Sequence, residues 1–279
     1  MILVTNDDGI DSPGIWALVE TMSRVEETLV VAPDRQQSGV GTSVSLHSDM
    51  SIVEVSPRIQ GVRAYAVGGT PSDCVILGLR HLAQGHIDLV VSGINLGANV
   101  GNDILYSGTV MATLQGYFRK IPSVAMSLVL QGQTEEPRFD VASKVAEFLV
   151  LGMKSGRIPT EAILNANVPN IPREQIKGVV ITRAASSGYV RLSPVQDSGS
   201  LRYSRGIHIP ASTDFPHQVP VGNAHAVEEG TDIWAINMGL ISITPLHLDI
   251  THHSLIPTLS EHVLMLESDL LKAVLDGDE

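Results

Sequence analysis

The sequence predicts an α/β fold on a mostly parallel sheet flanked by helices, and three observations predict it. Short aliphatic runs alternate with stretches of helical period through most of the chain. The apolar content is 43% but aromatics make up only 4%, the habit of strands buried on both faces. Three unusual loops each follow a strand-like run, which is where open α/β sheets place their ligands.

Met1 to Thr5 ("MILVT") reads as a buried strand. Ser12-Pro13 then supplies an N-cap and a proline at the first helical position, ahead of Ile15, Leu18, Val19 and Met22 at helical spacing. Thr28 to Ala32 is the next strand. Asp34 to Asp49, rich in Gly, Ser and Thr without a period, is expected to be a functional loop. Val62 to Val67 reads as a strand, Thr70-Pro71 opens a helix carrying Cys74, Leu77 and Leu82, and Ile87 to Ser92 is a further strand. Gly93 to Thr109 is a glycine-punctuated loop, Val110 to Phe118 a helix, Ser123 to Val129 a strand and Val141 to Met153 a helix, with strands near Ile163 and Val179. This order implies a Rossmann-like sheet with helices on both faces.

From Ser186 to Gly230 the texture turns to Ser, Pro, Gly and His, and an extended arm or β-hairpin is expected. In "TDIWAINMGLISITPL" two strand-like runs flank Asn237-Met238-Gly239, and Leu259 to Leu275 closes the chain as a helix. The chain is read as a single domain, 1–279. Residues 1–185 form the α/β core, and residues 186–279 form an arm, hairpin and C-terminal helix used in oligomerisation.

A net charge of −12 disfavours a nucleic-acid polymer or an anionic membrane as partner, because both demand a basic surface. A small anionic substrate would need a cation to offset that field. The lone cysteine, Cys74, excludes an intrachain disulfide, and the start lacks the features of a signal peptide. With no apolar stretch of membrane-spanning length, a cytoplasmic location is expected.

Asp7 and Asp8 of "NDDG" place two like charges side by side after the first strand. With a hydroxyl and a side-chain amide from the loop containing Ser38 and the Gly93 to Thr109 loop they make a hard-oxygen set suited to a divalent cation such as Mg²⁺ or Mn²⁺, which would relieve the repulsion within the pair; the alternative is that Asp7 caps a turn and Asp8 is a solvated loop charge. Ser107, Gly108 and Thr109 open a helix, where free N–H groups and hydroxyls can seat an oxyanion. Either hydroxyl could equally be an ordinary N-cap. Gly93, Asn95, Gly97, Asn99 and Gly101 alternate on the way to that turn and let backbone approach a ligand closely. Dinucleotide binding is the rival reading of the first unit, but its loop lacks G-x-G-x-x-G spacing and carries carboxylates where a pyrophosphate would lie. An aspartyl-phosphate mechanism is disfavoured by the adjacency of the two aspartates, which suits joint metal ligation better.

"VTNDDGIDSPGI", "VVAPDRQQSGVG", "GTPSDCVILGL", "VVSGINLGANVGNDILYSGTVMAT", "LNANVP" and "EGTDIWAINMGLISITPL" together resemble the motifs of the SurE family, the stationary-phase survival proteins. The resemblance implies a metal-dependent phosphomonoesterase, a 5′/3′-nucleotidase hydrolysing nucleoside monophosphates, with some members also acting on short polyphosphate. It carries the metal ligands onto Asp7, Asp8, Ser38 and Asn95, one divalent cation per subunit. It turns Asn99 and the Ser107-Gly108-Thr109 segment toward the phosphate; the mechanism expected from these parts has Asp7 or Asp8 in the catalytic task of orienting the attacking water. A catalytically silent nucleotide- or phosphate-binding module is the alternative on the same scaffold. His47, His81 and His86 are candidates for a leaving-group acid, although nothing in the sequence places them at the site.

Two departures stand out. Gln115 replaces a glutamate of many relatives, and "SGSLRYSRGIHIP" replaces an Asp-Pro-Arg-Gly segment. The first concerns helix packing; the second bears on base preference and intersubunit contacts. In the terminal helix Val263, Leu266, Leu270, Leu271, Val274 and Leu275 form an apolar stripe. The stripe must be buried, either on the chain's own sheet or on a neighbouring subunit; its place after the arm and hairpin favours the neighbour, and the resemblance implies a homodimer built from the arm and this helix, pairing further into tetramers in some members.

Overall fold

The computed structural model describes residues 1–130, 136–188, 190–197, 200–207, 227–263 and 267. They belong to two units, Met1–Leu246 and His247–Glu279.

The first unit is organised on a nine-stranded sheet. Its strands are β1 (Ile2–Thr5), β2 (Thr28–Pro33), β3 (Ile52–Val55), β4 (Arg63–Val67), β5 (Leu89–Leu96), β6 (Ser123–Val129), β7 (Ile163–Pro169) and β8 (Val179–Ile181), with β11 (Ile241–Leu246) after a separate hairpin of β9 (Val190–Asp197) and β10 (Ser200–Ile207). The spatial order is β3-β4-β2-β1-β5-β6-β7-β11-β8. From β4 to β7 every pairing is parallel, β3 and β11 run antiparallel to β4 and β7, and β8 is parallel to β11.

From β1 the chain moves outward through β2 to β4, then returns to the other side of β1 as β5 and continues to β6 and β7. The reversal between β1 and β5 is a topological switch point, and it opens a crevice beyond the carboxyl ends of those strands.

Period-two alternation divides the core. Ile2 and Val4 face one layer with Ile15, Leu18, Val19 and Met22 of helix α1 (Pro13–Val25) and Ala146, Leu149 and Val150. Leu3 faces the other with Cys74 and Val75 of helix α2 (Pro71–Leu77) and Ala112 of helix α3 (Gly108–Ala112). Both faces are covered, which explains why β1 and β2 read as unbroken apolar runs. Helix α4 (Leu114–Tyr117) follows α3, and α5 (Phe139–Lys154) packs beside α1. Gln115 lies in α4, where its carbonyl accepts a 2.6 Å bond from Arg119 Nη1.

Several elements differ from expectation. The Val110 to Phe118 helix begins earlier, at Gly108, and breaks at Thr113 into α3 and α4. β5 runs on through Gly93 to Leu96 with a register irregularity between Ser92 and Asn95, so the loop expected from Gly93 starts later. β3 adds an edge strand on the far side of the Asp34 to Asp49 loop. The first of the two strand-like runs near Asn237 is helix α6 (Asp232–Asn237), because Thr231 caps it by accepting from Trp234 N at 3.3 Å. Four consecutive apolar residues are too few to show a helical period.

Residues 208–226 of the arm, and Leu266, Leu270, Leu271, Val274 and Leu275 of the predicted stripe, lie outside the described residues. Within the second unit residues 256–263 are helical. Among the described residues no helix is long and apolar enough to cross a membrane.

Candidate active site

The loop after β1 is shaped by its own first residue. Asn6 Nδ2 donates to Gly9 O at 3.0 Å while Gly9 N donates back to Asn6 Oδ1 at 3.2 Å, so one buried side chain closes a turn over Asp7 and Asp8. Gly9 sits at φ +94°, with the backbone of Arg35 where a Cβ would go, and only glycine suits that position.

The turn delivers the two carboxylates to different neighbours. Asp7 is buried, and its Oδ1 accepts from the equally buried Thr109 Oγ1 in α3. Asp8 is partly buried and accepts from Leu96 N at 3.2 Å. Asp7 O accepts from Gln37 N at 2.7 Å, which binds the Ser38 loop to the same turn. Three segments distant in sequence therefore converge, and each contact is made one residue from a predicted ligand: Gln37 precedes Ser38, and Leu96 follows Asn95. Ser38 itself is exposed. Asn95 Nδ2 donates to Gly97 O at 2.9 Å, which fixes the amide and leaves its oxygen as the atom available to a ligand.

The electrostatics of the pair are unfavourable as they stand. Burial, and then the charge of Asp8, push the Asp7 carboxyl up to about 7, against the pull of Thr109. Burial also raises Asp8, offset in part by Leu96 N–H and Gln36. Among the described residues no lysine or arginine forms an ion pair with either carboxylate; Arg35 pairs with Asp34 instead. Two adjacent carboxylates, one buried and one partly buried, with no cationic partner among the described residues and with Ser38 and Asn95 next in sequence to their contacts, fit a divalent hard cation, which would supply the missing positive charge.

The residues expected at the phosphate have internal duties as well. Ser107 Oγ accepts from Val110 N at 3.0 Å and is the N-cap of α3. As an acceptor there it keeps its own O–H for an anion. Gly108 packs against Asp7, where a Cβ would lie 2.7 Å from Asp7 Cβ and 3.0 Å from Oδ2. Thr109 spends its hydroxyl on Asp7. Asn99 gives one amide hydrogen to Ser127 Oγ at 2.8 Å, leaving the other.

Asn99 is held from below by residues that sequence reasoning missed. Its N donates to Asn167 Oδ1 at 2.9 Å, and its O accepts from Asn167 Nδ2 at 3.0 Å and Asn165 Nδ2 at 2.8 Å. Asn165 and Asn167 are fully buried on β7. Their signal was present in "LNANVP", as two amides two residues apart in a strand that is otherwise apolar. His47, His81 and His86 are exposed, and His86 lies 3.7 Å from Asp88, the residue that holds the amino terminus at the opposite end of β1 from the Asp7–Asp8 turn.

Fold and site together define an α/β protein whose switch-point loops bring an adjacent carboxylate pair against the turn that opens α3. The family model described as "Survival protein SurE" matches residues 2–191. The chain is 43% identical over 247 residues to the 5′-nucleotidase SurE of Dehalococcoides mccartyi strain CBDB1, covering 88% of each chain. It is 38% identical over 260 residues to that of Geobacter metallireducens, covering 92% of this chain and 95% of the relative. The crystal structure of the SurE protein from Aquifex aeolicus is similar with a TM-score of 0.75 at 37% identity, over 93% of this chain and 98% of that one. The chain belongs to the SurE family.

Proposed function

We propose that the chain is a metal-dependent nucleotidase that hydrolyses nucleoside 5′-monophosphates to nucleoside and phosphate, with 3′-monophosphates and short polyphosphate as further substrates. The observation that carries this reading is the Asp7–Asp8 pair, the first buried and the second partly buried, without a compensating cationic side chain among the described residues and joined through Thr109 to a turn with hydroxyl and N–H donors. The names of its relatives support the same activity.

Asp7, Asp8, Ser38 and Asn95 would hold one Mg²⁺ or Mn²⁺, which supplies Lewis-acid chemistry toward the phosphate. Thr109 donates to Asp7 and favours its ionised form, so that the more buried carboxylate is ready to ligate. Leu96 N–H fixes one oxygen of Asp8, and the carboxylate then orients the attacking water and takes its proton. Ser107 O–H, the second hydrogen of the Asn99 amide and the N–H of Gly108 stabilise charge developing on the phosphoryl oxygens.

The 186–279 segment is read as an oligomerisation region that makes a homodimer, with tetramers as a further assembly, in a cytoplasmic protein. Ile256, Leu259 and Val263 support this, since they recur at helical spacing and are exposed in the single chain. Phosphate release from a panel of nucleoside 5′- and 3′-monophosphates, with Mg²⁺ or Mn²⁺ and then with EDTA, tests the activity. Release that EDTA abolishes is expected. No release from any of them with metal present would leave a silent phosphate-binding module as the correct reading.

A further inference from the structure

A further buried carboxylate braces the loop that leads to the phosphate turn. Asp232, the first residue of α6, is completely buried. One oxygen accepts from Gly101 N at 2.7 Å, and the other from Ala185 N at 3.0 Å and Ile233 N at 2.8 Å. Three backbone donors from three segments thus converge on one side chain.

Those segments are the two feet of the 186–230 arm and the start of the loop that ends in the phosphate turn. The feet are stitched to each other, Arg183 N donating to Gly230 O and Asp232 N to Arg183 O, both at 3.0 Å. The outgoing foot also grips the loop directly. Asn102 N donates to Ser187 O at 3.2 Å and Asn102 Nδ2 to Ser186 O at 2.8 Å, and a Cβ on Gly101, at φ +51°, would run into Ser187 O. From Gly101 a 3₁₀ turn spans Gly101–Tyr106, and Ser107 N donates back into it, to Asp103 O at 3.1 Å. The contacts run from the carboxylate of Asp232 through Gly101 and the 3₁₀ turn to Ser107, the residue that caps α3.

We propose that Asp232 is a positioning residue for the phosphate turn: it holds the Gly101–Tyr106 segment against the feet of the arm, and so makes the placement of Ser107 and Gly108 depend on how the arm is seated. The inference rests on the reading of that turn as the phosphate seat. It assigns a role in the reaction to a side chain that touches neither the metal ligands nor the substrate. An acidic side chain is required because every group facing it is an N–H donor, and an amide in its place would turn one acceptor into a donor opposed to a donor.

The test compares wild type, Asp232→Asn and the milder Asn102→Ala, whose exposed side chain can be lost without loss of the fold. Mn²⁺ binding is measured by calorimetry without nucleotide, binding of inorganic phosphate to the Mn²⁺-loaded protein likewise, and KM and kcat on a nucleoside monophosphate. Asp232→Asn should keep Mn²⁺ affinity within about 2-fold, and weaken phosphate binding and raise KM by about 10-fold or more, the scale of one lost charge-assisted hydrogen bond. Asn102→Ala should move the same two constants in the same direction by a smaller factor, and it decides the matter if Asp232→Asn does not fold. Unchanged phosphate binding in the folded variants overturns the proposal, and so does a loss of Mn²⁺ affinity that parallels the loss of phosphate. A wild type without turnover would refute the nucleotidase reading alone, because phosphate binding would still report on Asp232.

Discussion

Replacing Asp7 with asparagine is expected to stabilise the metal-free protein while destroying its activity. The carboxyl is held at about 7 in the folded chain against a reference of 3.8, first by burial and second by Asp8. A carboxyl raised in this way keeps its proton in the folded state over a range where the unfolded chain has already lost it. Stability must therefore fall as pH rises from about 3.8 to about 7, and the penalty is complete above that window. At about 1.4 kcal/mol per pH unit the interval corresponds to about 4 kcal/mol. Asparagine has similar shape, carries no charge and can still accept from Thr109 Oγ1, so it escapes this penalty without leaving a cavity.

The assay is urea unfolding of both proteins in EDTA at pH 8 and pH 5. The variant should be more stable by about 2–4 kcal/mol at pH 8, and by only about 1–2 kcal/mol at pH 5, where the wild-type carboxyl is protonated in the fold. Added Mn²⁺ should restore the wild type and leave the variant unmoved, since a ligand stabilises only the state that binds it. A variant no more stable than wild type at pH 8, or a gain as large at pH 5, would refute the view that Asp7 is a buried charge awaiting a cation.

Asp8→Asn should lower turnover by at least ~10²-fold with the fold intact, the loss typical of dismantling electrostatic catalysis; near-wild-type rates at saturating metal would show that Asp8 is no ligand that matters. Gly108→Ala brings a methyl to within 2.7 Å of Asp7 Cβ and 3.2 Å of Pro71 Cγ, and should destabilise by about 1–3 kcal/mol as overpacking does. Turnover should fall with it, and a calorimetric and kinetic comparison showing neither change would contradict the contact. If the proposed homodimer is clasped by its last helix, deleting residues 259–279 should leave a monomer by light scattering, and an unchanged, active oligomer would rule out that helix as the principal clasp.

The fold was legible in proportion to how far each element was decided by local sequence. β1, β2, β6 and α1 were readable because an aliphatic run or a 3.6-residue period is itself the cause of the element. "TDIWAIN" was misread because its type is decided by a single cap, Thr231, and not by a period. β3 escaped notice because it is an edge strand with Ile52, Val53 and Glu54 exposed, so no buried face imprinted an alternation on it. The early start of α3 has a comparable origin. Gly108 is a weak helix former by propensity, but it is the residue that fits against Asp7.

The site shows the same division more sharply. Asp7, Asp8 and the alternating Gly and Asn residues stood out because they defy local preference: like charges are placed together, and glycines crowd where no turn needs so many. Such conflicts persist only where something outside the local chain resolves them, which is why they mark function. Ser127, Asn165, Asn167 and Asp232 break no comparable rule in sequence. A lone serine within a strand and an aspartate in the first turn of a helix are unremarkable locally, and the paired amides of β7 do not by themselves name a partner; the need for each is created by a side-chain or backbone group of Asn99 or Gly101, 28 to 131 residues away. The groups proposed to meet the cation and the phosphate lie in loops that composition and spacing already single out, whereas those that hold these loops in place require the tertiary structure. It follows that a relative could keep every motif around Asp7 and Ser107 and still lose catalytic geometry through a change at the root of the arm. The Asp232→Asn comparison measures that vulnerability in this chain.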